Sequence, residues 1–230
     1  SIPFGKMGQL LIRSFLPVLR NMDIKKTNKI DHLITNSKNI ASQIQNIYHR
    51  QADVIYPPVD VNSYTISDST RDYYLYAGRL ISHKKVELVI EACNQLHRKL
   101  IIAGDGLERT NLEKISGSSV QFVGRVNDAQ LKILYSDCKA LLFPSDEDFG
   151  LVPVEVQASG RPVIAYRSGG ALETVIEDQT GVFFDEQGVS SLIDAILRFE
   201  KKQFNSEVIR KNAMRFDVKE FNQQITEYVE

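Results

Sequence analysis

Tryptophan is absent from this 230-residue sequence, and cysteine and methionine are scarce, at two and three residues. The two cysteines, Cys93 and Cys138, stand in unrelated segments and form neither a metal-ligand spacing nor a disulfide framework. That usage excludes a disulfide-stapled scaffold and fits a reducing, cytoplasmic compartment. The formal net charge is only -1, so no global field draws the chain to nucleic acid. His32, His49, His83 and His97 show no ligand spacing, and no metal site is expected. No apolar run reaches transmembrane length, no secretory leader is visible, and no internal repeat or low-complexity run stands out. The first residue is Ser1 rather than Met, as expected of a processed or cut chain.

What is present is an ordinary globular balance, 43% apolar and 25% charged, in a length suited to one large domain or one domain plus part of another. From Tyr73 onward short apolar runs alternate with helix-period segments. The runs YYLYAG, KLIIAG, VQFVG, ALLFP, PVIAY and GVFF read as strands. The segments KKVELVIEACNQLH, LERTNLEKI, DAQLKILYSD, LVPVEVQAS, ALETVIED and VSSLIDAILRFEKK read as helices. Strands alternating with helices predict βαβ units and a parallel sheet, and near-continuous apolar strands predict a sheet covered on both faces. Asn127 is the expected N-cap of the helix carrying Leu131 and Leu134. Val86, Val89, Ile90 and Cys93 recur at helical spacing and are expected to pack on the sheet.

The beginning of the chain differs. Gly8 to Met22 reads as a helix with Arg13 and Arg20, kinked at Pro17. HLITNS reads as a strand, and Ser37 as the cap of a helix through Ile40, Ile44 and Ile47. The polar stretch around Pro57 and Pro58 has the character of a linker. The expected organisation is residues 1–58 as the tail of a first domain with its linker, 59–204 as the main α/β domain, and 205–230 as terminal helices.

In open α/β sheets ligands bind beyond the carboxyl ends of the strands, and the residues there carry the chemistry. After the first strand of the main domain come Gly78, Arg79 and Lys84. A planar guanidinium and a mobile ammonium suit a diphosphate, and two solvated cations are the bland alternative. The helix dipole makes a cation unfavourable near a helix start, which favours the functional reading. After the second and third strands, Gly104 and Gly106, then Gly124, Arg125 and Val126, are turn residues that can approach a ligand. After the fourth comes FPSDEDFGLVPVEVQAS, with Glu147 and Glu155 separated by seven residues. Phe149, Gly150 and Leu151 stand where a helix begins, and backbone N–H groups there favour phosphate. A carboxylate accepts two hydroxyls at once, so two of them flanking a phosphate match the diols of a nucleotide sugar. Against this stand a charge in a first helical turn for Glu155, and a solvated acidic loop for Glu147. Gly169 and Gly170 form another anion-ready turn or a plain loop, and His83 is placed to line the site beside Lys84.

These residues, read together as GRLISHKK, LIIAGDGLER, VQFVGRV and FPSDEDFGLVPVEVQASGRPVIAYRSGGALETV, resemble the C-terminal donor-binding domain of the retaining GT-B glycosyltransferases of family 4, group 1. The resemblance extends from Leu33 to the C-terminus. It implies a Rossmann-like parallel six-stranded sheet with helices on both faces, preceded by a partial N-terminal α/β segment, and terminal helices that cross back to it. It implies a hexosyltransferase in which Arg79 and Lys84 neutralise the leaving diphosphate and Glu147 holds hydroxyls of the donor sugar. Glu155 would hold the ribose diol, with the Phe149–Leu151 amides between the two glutamates. Gly78, Gly104, Gly106, Gly124, Arg125, Val126 and Ser145 complete the implied donor site.

No cofactor or metal is implied beyond the nucleotide-sugar donor, with GDP-mannose favoured and UDP-sugars as the alternative. The implied acceptor is a glycan or lipid-linked glycan, with contact of the Gly8–Met22 helix at the inner membrane face or, alternatively, its packing against the missing domain. Two departures stand out. Most of the family's N-terminal domain is not in this sequence, so the chain is expected to be a fragment or to need a separate N-terminal-domain chain, and to be inactive without it. Lys85 stands where many relatives have glycine. The alternatives are a non-catalytic nucleotide-sugar-binding module and, against the glutamate pair, a sugar-nucleotide epimerase.

Overall fold

The computed structural model describes residues 6–67 and 70–230, with side chains from residue 15 onward in the first helix. The chain divides into two compact units, 1–54 and 55–230.

In the first unit, helix α1 (Lys6–Thr27) runs across Pro17, and β1 (Ile34–Thr35) pairs in parallel with β2 (Asp53–Val54). Between them lies α2 (Lys38–Tyr48), capped as expected by Ser37, whose hydroxyl accepts from the Ile40 amide at 3.1 Å. The side chains of residues 8–14, part of the helix expected to touch a membrane or the missing domain, lie outside the described residues. No helix among the described residues is long and apolar enough to cross a membrane.

The second unit carries the sheet. Its strands are β3 (Tyr74–Ala77), β4 (Leu100–Ala103), β5 (Val120–Gly124), β6 (Ala140–Phe143), β7 (Val163–Tyr166) and β8 (Gly181–Phe184). All pair in parallel, in the order β5-β4-β3-β6-β7-β8. The six apolar runs thus form the α/β fold expected from the sequence. The connecting helices are α3 (Val86–Leu96), α4 (Arg109–Ile115), α5 (Asp128–Asp137), α6 (Leu151–Ala158), α7 (Ala171–Thr174) and α8 (Val189–Phe199), followed by α9 (Ser206–Ala213) and α10 (Val218–Val229).

Side chains alternate across each strand, and both faces are buried. Tyr74, Tyr76, Leu100, Ile102, Leu142 and Ile164 face one layer with Val89, Ile90 and Cys93 of α3 and Leu192 and Ile196 of α8. Leu75, Ala77, Leu141, Phe143 and Val163 face the other with Tyr135, Cys138 and Val156. Each fully buried Leu or Ile in such a layer contributes about 1.5–3 kcal/mol relative to exposure.

A third cluster joins Val59 and Val61 to Phe149, Val154, Ala158, Ala213 and Phe216. Polar bonds fix it. Buried Asp217 caps α10 through the Lys219 amide at 3.0 Å and accepts from the Val61 amide at 3.2 Å. Arg210 of α9 donates to the carbonyls of Val61 and Tyr64 at 3.0 and 2.9 Å. Residues 59–64 are thereby held against α6 and α9.

One helix is shorter than its sequence suggests. ALETVIED reads as a helix, yet α7 ends at Thr174, and Val175 turns extended and buries its side chain. Asp178 then takes φ 63 in the turn into β8.

Candidate active site

The strand order reverses between β3 and β6, which makes the crevice beyond their carboxyl ends the switch point of the sheet. The chain leaves β3 through Gly78 and Arg79, makes a 3-10 turn at Ser82–Lys84, and enters α3 through Lys85. Lys85 adopts φ 55 and ψ 36, the left-handed conformation that favours glycine, which accounts physically for glycine being an alternative there. Neighbouring loops are laced by backbone bonds. The Gly78 amide donates to Ala103 at 3.0 Å and the Gly104 amide to Gly124 at 2.8 Å. A Cβ on Gly104 would stand 1.9 Å from the Gly78 carbonyl oxygen at φ +141, so close approach of two loops explains this glycine directly.

A cleft of about 890 Å³ opens over these loops. Gly78, Arg79, Gly104, Gly106, Arg125, Val126 and Glu155 line it, with Ile81, Leu131, Tyr135 and Val152 as its apolar walls. Next to it, sharing Gly78, Arg79 and Val152 as a common wall, lies a recess of about 120 Å³ lined by Lys84, Ser145, Glu147, Gly150 and Leu151. Residues from separate stretches of sequence thus meet in two adjoining concavities beyond the carboxyl ends of the strands.

In the recess, Lys84 Nζ donates to Glu147 Oε1, which also accepts from Ser145 Oγ at 2.8 Å. Lys84 and Glu147 side chains are both largely buried, so each charge partly offsets the desolvation of the other. The loop bearing Glu147 is pinned from outside. The Gly170 amide donates to the Glu147 carbonyl at 2.8 Å, and a Cβ on Gly170 would meet the Phe149 oxygen at 2.1 Å. Gly169 and Gly170 therefore clamp the acidic loop. Tyr76 fixes the opposite wall by donating to the Arg79 carbonyl at 3.1 Å. Burial, and then the nearby Glu147, push its hydroxyl above the usual tyrosine range, so it stays a donor.

Gly150, at φ 85, is the N-cap of α6. Glu155 consequently lies in the second turn of the helix, and α6 has no acidic residue in its first turn. The expectation of Glu155 in the first turn is corrected, and a favourable dipole position no longer explains it. Its carboxylate instead faces the cleft, where Tyr135 donates to Oε2 at 2.9 Å and the Tyr64 hydroxyl lies close enough to favour its charged form. Burial raises the Glu155 pKa, and the hydrogen bonds from Tyr135 and Tyr64 oppose that rise.

Gly124 and Phe149, named from the sequence, line neither part of the cleft. Gly124 acts through its carbonyl under Gly104. The Phe149 ring is buried against Tyr56 and Phe216, with centroids 5.6 and 5.4 Å away, and anchors the loop from behind. His83 does not line the cleft either. Sequence reasoning missed Tyr135, Tyr64 and Tyr76. Tyr76 alternates with Leu75 on a predicted strand and reads as core, and nothing in spacing joins Tyr64 to Glu155.

A six-stranded parallel sheet with helices on both faces is the α/β architecture of the GT-B glycosyltransferases, and here cations and carboxylates gather at its switch point. The chain belongs to the glycosyl transferases group 1 family, whose model matches residues 64–216. An uncharacterized glycosyltransferase of Methanocaldococcus jannaschii is 29% identical over 190 residues, covering 80% of this chain and 53% of that protein. The O-antigen chain mannosyltransferase of Salmonella typhimurium is 26% identical over 217 residues, covering 86% and 61%. Among solved structures, Anabaena HepE in complex with UDP and glucose superposes with a TM-score of 0.78 at 25% identity, covering 94% of this chain and 68% of that one. The chain spans about half the length of the curated relatives it matches.

Proposed function

We propose that residues 55–230 form the donor-binding half of a retaining family 4 glycosyltransferase that passes a hexose from a nucleotide sugar to a glycan or lipid-linked acceptor. The observation that carries this reading is the convergence of Arg79, Lys84 and Glu147 beside Glu155 in two adjoining concavities at the switch point.

Each residue has a role that its chemistry supports. Arg79 and Lys84 meet the diphosphate as it leaves, and stabilise the charge that develops when the anomeric C–O bond breaks. The Gly150 and Leu151 amides at the start of α6 face the same phosphates. Glu147 accepts hydroxyls of the donor sugar, with Ser145 orienting it. Glu155 accepts the ribose diol, and the base lies toward Arg125 and Val126. Departure and attack on the same face retain the anomeric configuration.

Mannose from GDP-mannose is the favoured donor, supported by the similarity to the Salmonella mannosyltransferase. A UDP-sugar is the second reading, supported by the UDP and glucose held by the Anabaena relative. The acceptor side is supplied by an N-terminal domain, in the same chain or a separate one, and the site works in the cytoplasm at the inner face of the membrane. A module that binds the nucleotide sugar without transferring it is distinguished by turnover once that domain is supplied.

Calorimetric titration with GDP, UDP, GDP-mannose and UDP-glucose tests the reading. Saturable binding of one nucleotide family is expected. Lys84→Ala should weaken it about 10- to 100-fold, the range for losing a charged hydrogen bond. Glu147→Ala should weaken only the sugar nucleotide. No saturable binding of any of the four overturns the reading.

A further inference from the structure

We propose that Tyr135 and Tyr64 are positioning residues, a pair of hydroxyls that clasp the Glu155 carboxylate and aim its remaining lone pairs at the ribose diol of a nucleoside diphosphate. The inference rests on the donor-site reading above.

A carboxylate offers about four acceptor positions on two oxygens. Two tyrosyl donors and two ribose hydroxyls would saturate it. The clasp is built rather than incidental. Tyr135 is buried in α5 and its hydroxyl reaches Glu155 Oε2 at 2.9 Å. The Tyr64 ring lies beside Tyr135 at a centroid distance of 6.3 Å, with Lys132 Nζ over the Tyr64 ring at 4.9 Å from its centroid. The Tyr64 backbone is held by Arg210. Tyr64 belongs to the stretch that leads from the first unit into the sheet, so the clasp ties the ribose acceptor to that stretch.

A half-buried carboxylate facing apolar walls is costly unless donors meet it. The other charged groups around Glu155 are Asp128, which disfavours its ionisation, and Lys132, which favours it; both belong to α5. Arg125 lines the same cleft. The tyrosine hydroxyls are themselves pushed well above their usual range, first by burial and then by Glu155, and so remain protonated donors.

The test compares wild type, Tyr135→Phe and Tyr64→Phe for binding UDP or GDP, the matching 2′,3′-dideoxynucleotide, and inorganic pyrophosphate, over acidic to neutral pH. Wild type should prefer the ribonucleotide to its dideoxy form. Each Phe variant should lose about 10-fold for the ribonucleotide and keep its affinity for the other two ligands. Removing a donor raises the Glu155 pKa further, so ribonucleotide binding should fade at a higher pH in the variants than in wild type. Variants that bind all three ligands as wild type does overturn the clasp. An equal loss for all three also overturns it, because it marks a general packing role. If wild type binds ribonucleotide and dideoxynucleotide alike, Glu155 is not the ribose acceptor, and that role fails together with the clasp. Wild type that binds neither UDP nor GDP defeats the donor-site reading itself.

Discussion

At the scale of the residue, the cleft holds a carboxylate at a cost in stability. The Glu155 carboxyl sits above the ordinary carboxylate range, chiefly because burial disfavours its charge. A group whose folded pKa is raised loses its contribution to stability as pH rises through that pKa. Glu155→Gln keeps the shape and an acceptor oxygen without the charge. It should melt above wild type at neutral pH, with the gap closing as acid protonates Glu155, while binding of the nucleoside diphosphate is lost. Calorimetric melts at several pH values would show this, and a neutral-pH deficit in the variant would contradict it.

At the scale of the element, local chemistry decided most of the outcome. Asn127 caps α5 through the Gln130 amide at 2.9 Å, and Gln130 returns a bond to the Asn127 amide at 3.2 Å, a full capping box. Asn127→Ala should lower stability by about 1 kcal/mol in urea titration, with the midpoint shifted and the slope unchanged. Caps such as Asn127 and Ser37 were legible because they act within a turn of their own position. The strands were legible because each is a short apolar run bounded by turn residues. The end of α7 was not, since Ala171 to Asp178 keeps helical composition while the core position of Val175 pulls the chain into an extended path. The start of α6 was misjudged by the small margin that put Glu155 one turn too early. Of the site, the cations and carboxylates were readable from their family pattern. The tyrosines were not, because Tyr64 and Tyr135 meet Glu155 only after three distant stretches are brought together.

At the scale of the whole molecule, the far end of the sheet is tied by a charged knot. Arg98, in the turn before β4, donates twice to Glu200 beyond α8, at 2.7 and 2.8 Å, and Tyr74 of β3 adds a third donor at 3.0 Å. The Glu200 pKa is lowered, chiefly by its hydrogen bonds from Arg98. A depressed carboxyl contributes stability above its unfolded pKa, and that contribution disappears as pH falls through the folded value. Wild type should therefore lose stability in acid more steeply than Glu200→Gln, as read by urea midpoints at decreasing pH. Equal acid slopes would remove Glu200 from the account. The two cysteines have a consequence of a different kind. Cys93 lies beneath one face of the sheet and Cys138 beneath the other, both wholly shielded. The protein therefore carries one chemical clock in each layer. In a labelling experiment, the order in which an alkylating reagent reaches the two sulfurs would record which side of the sheet opens first.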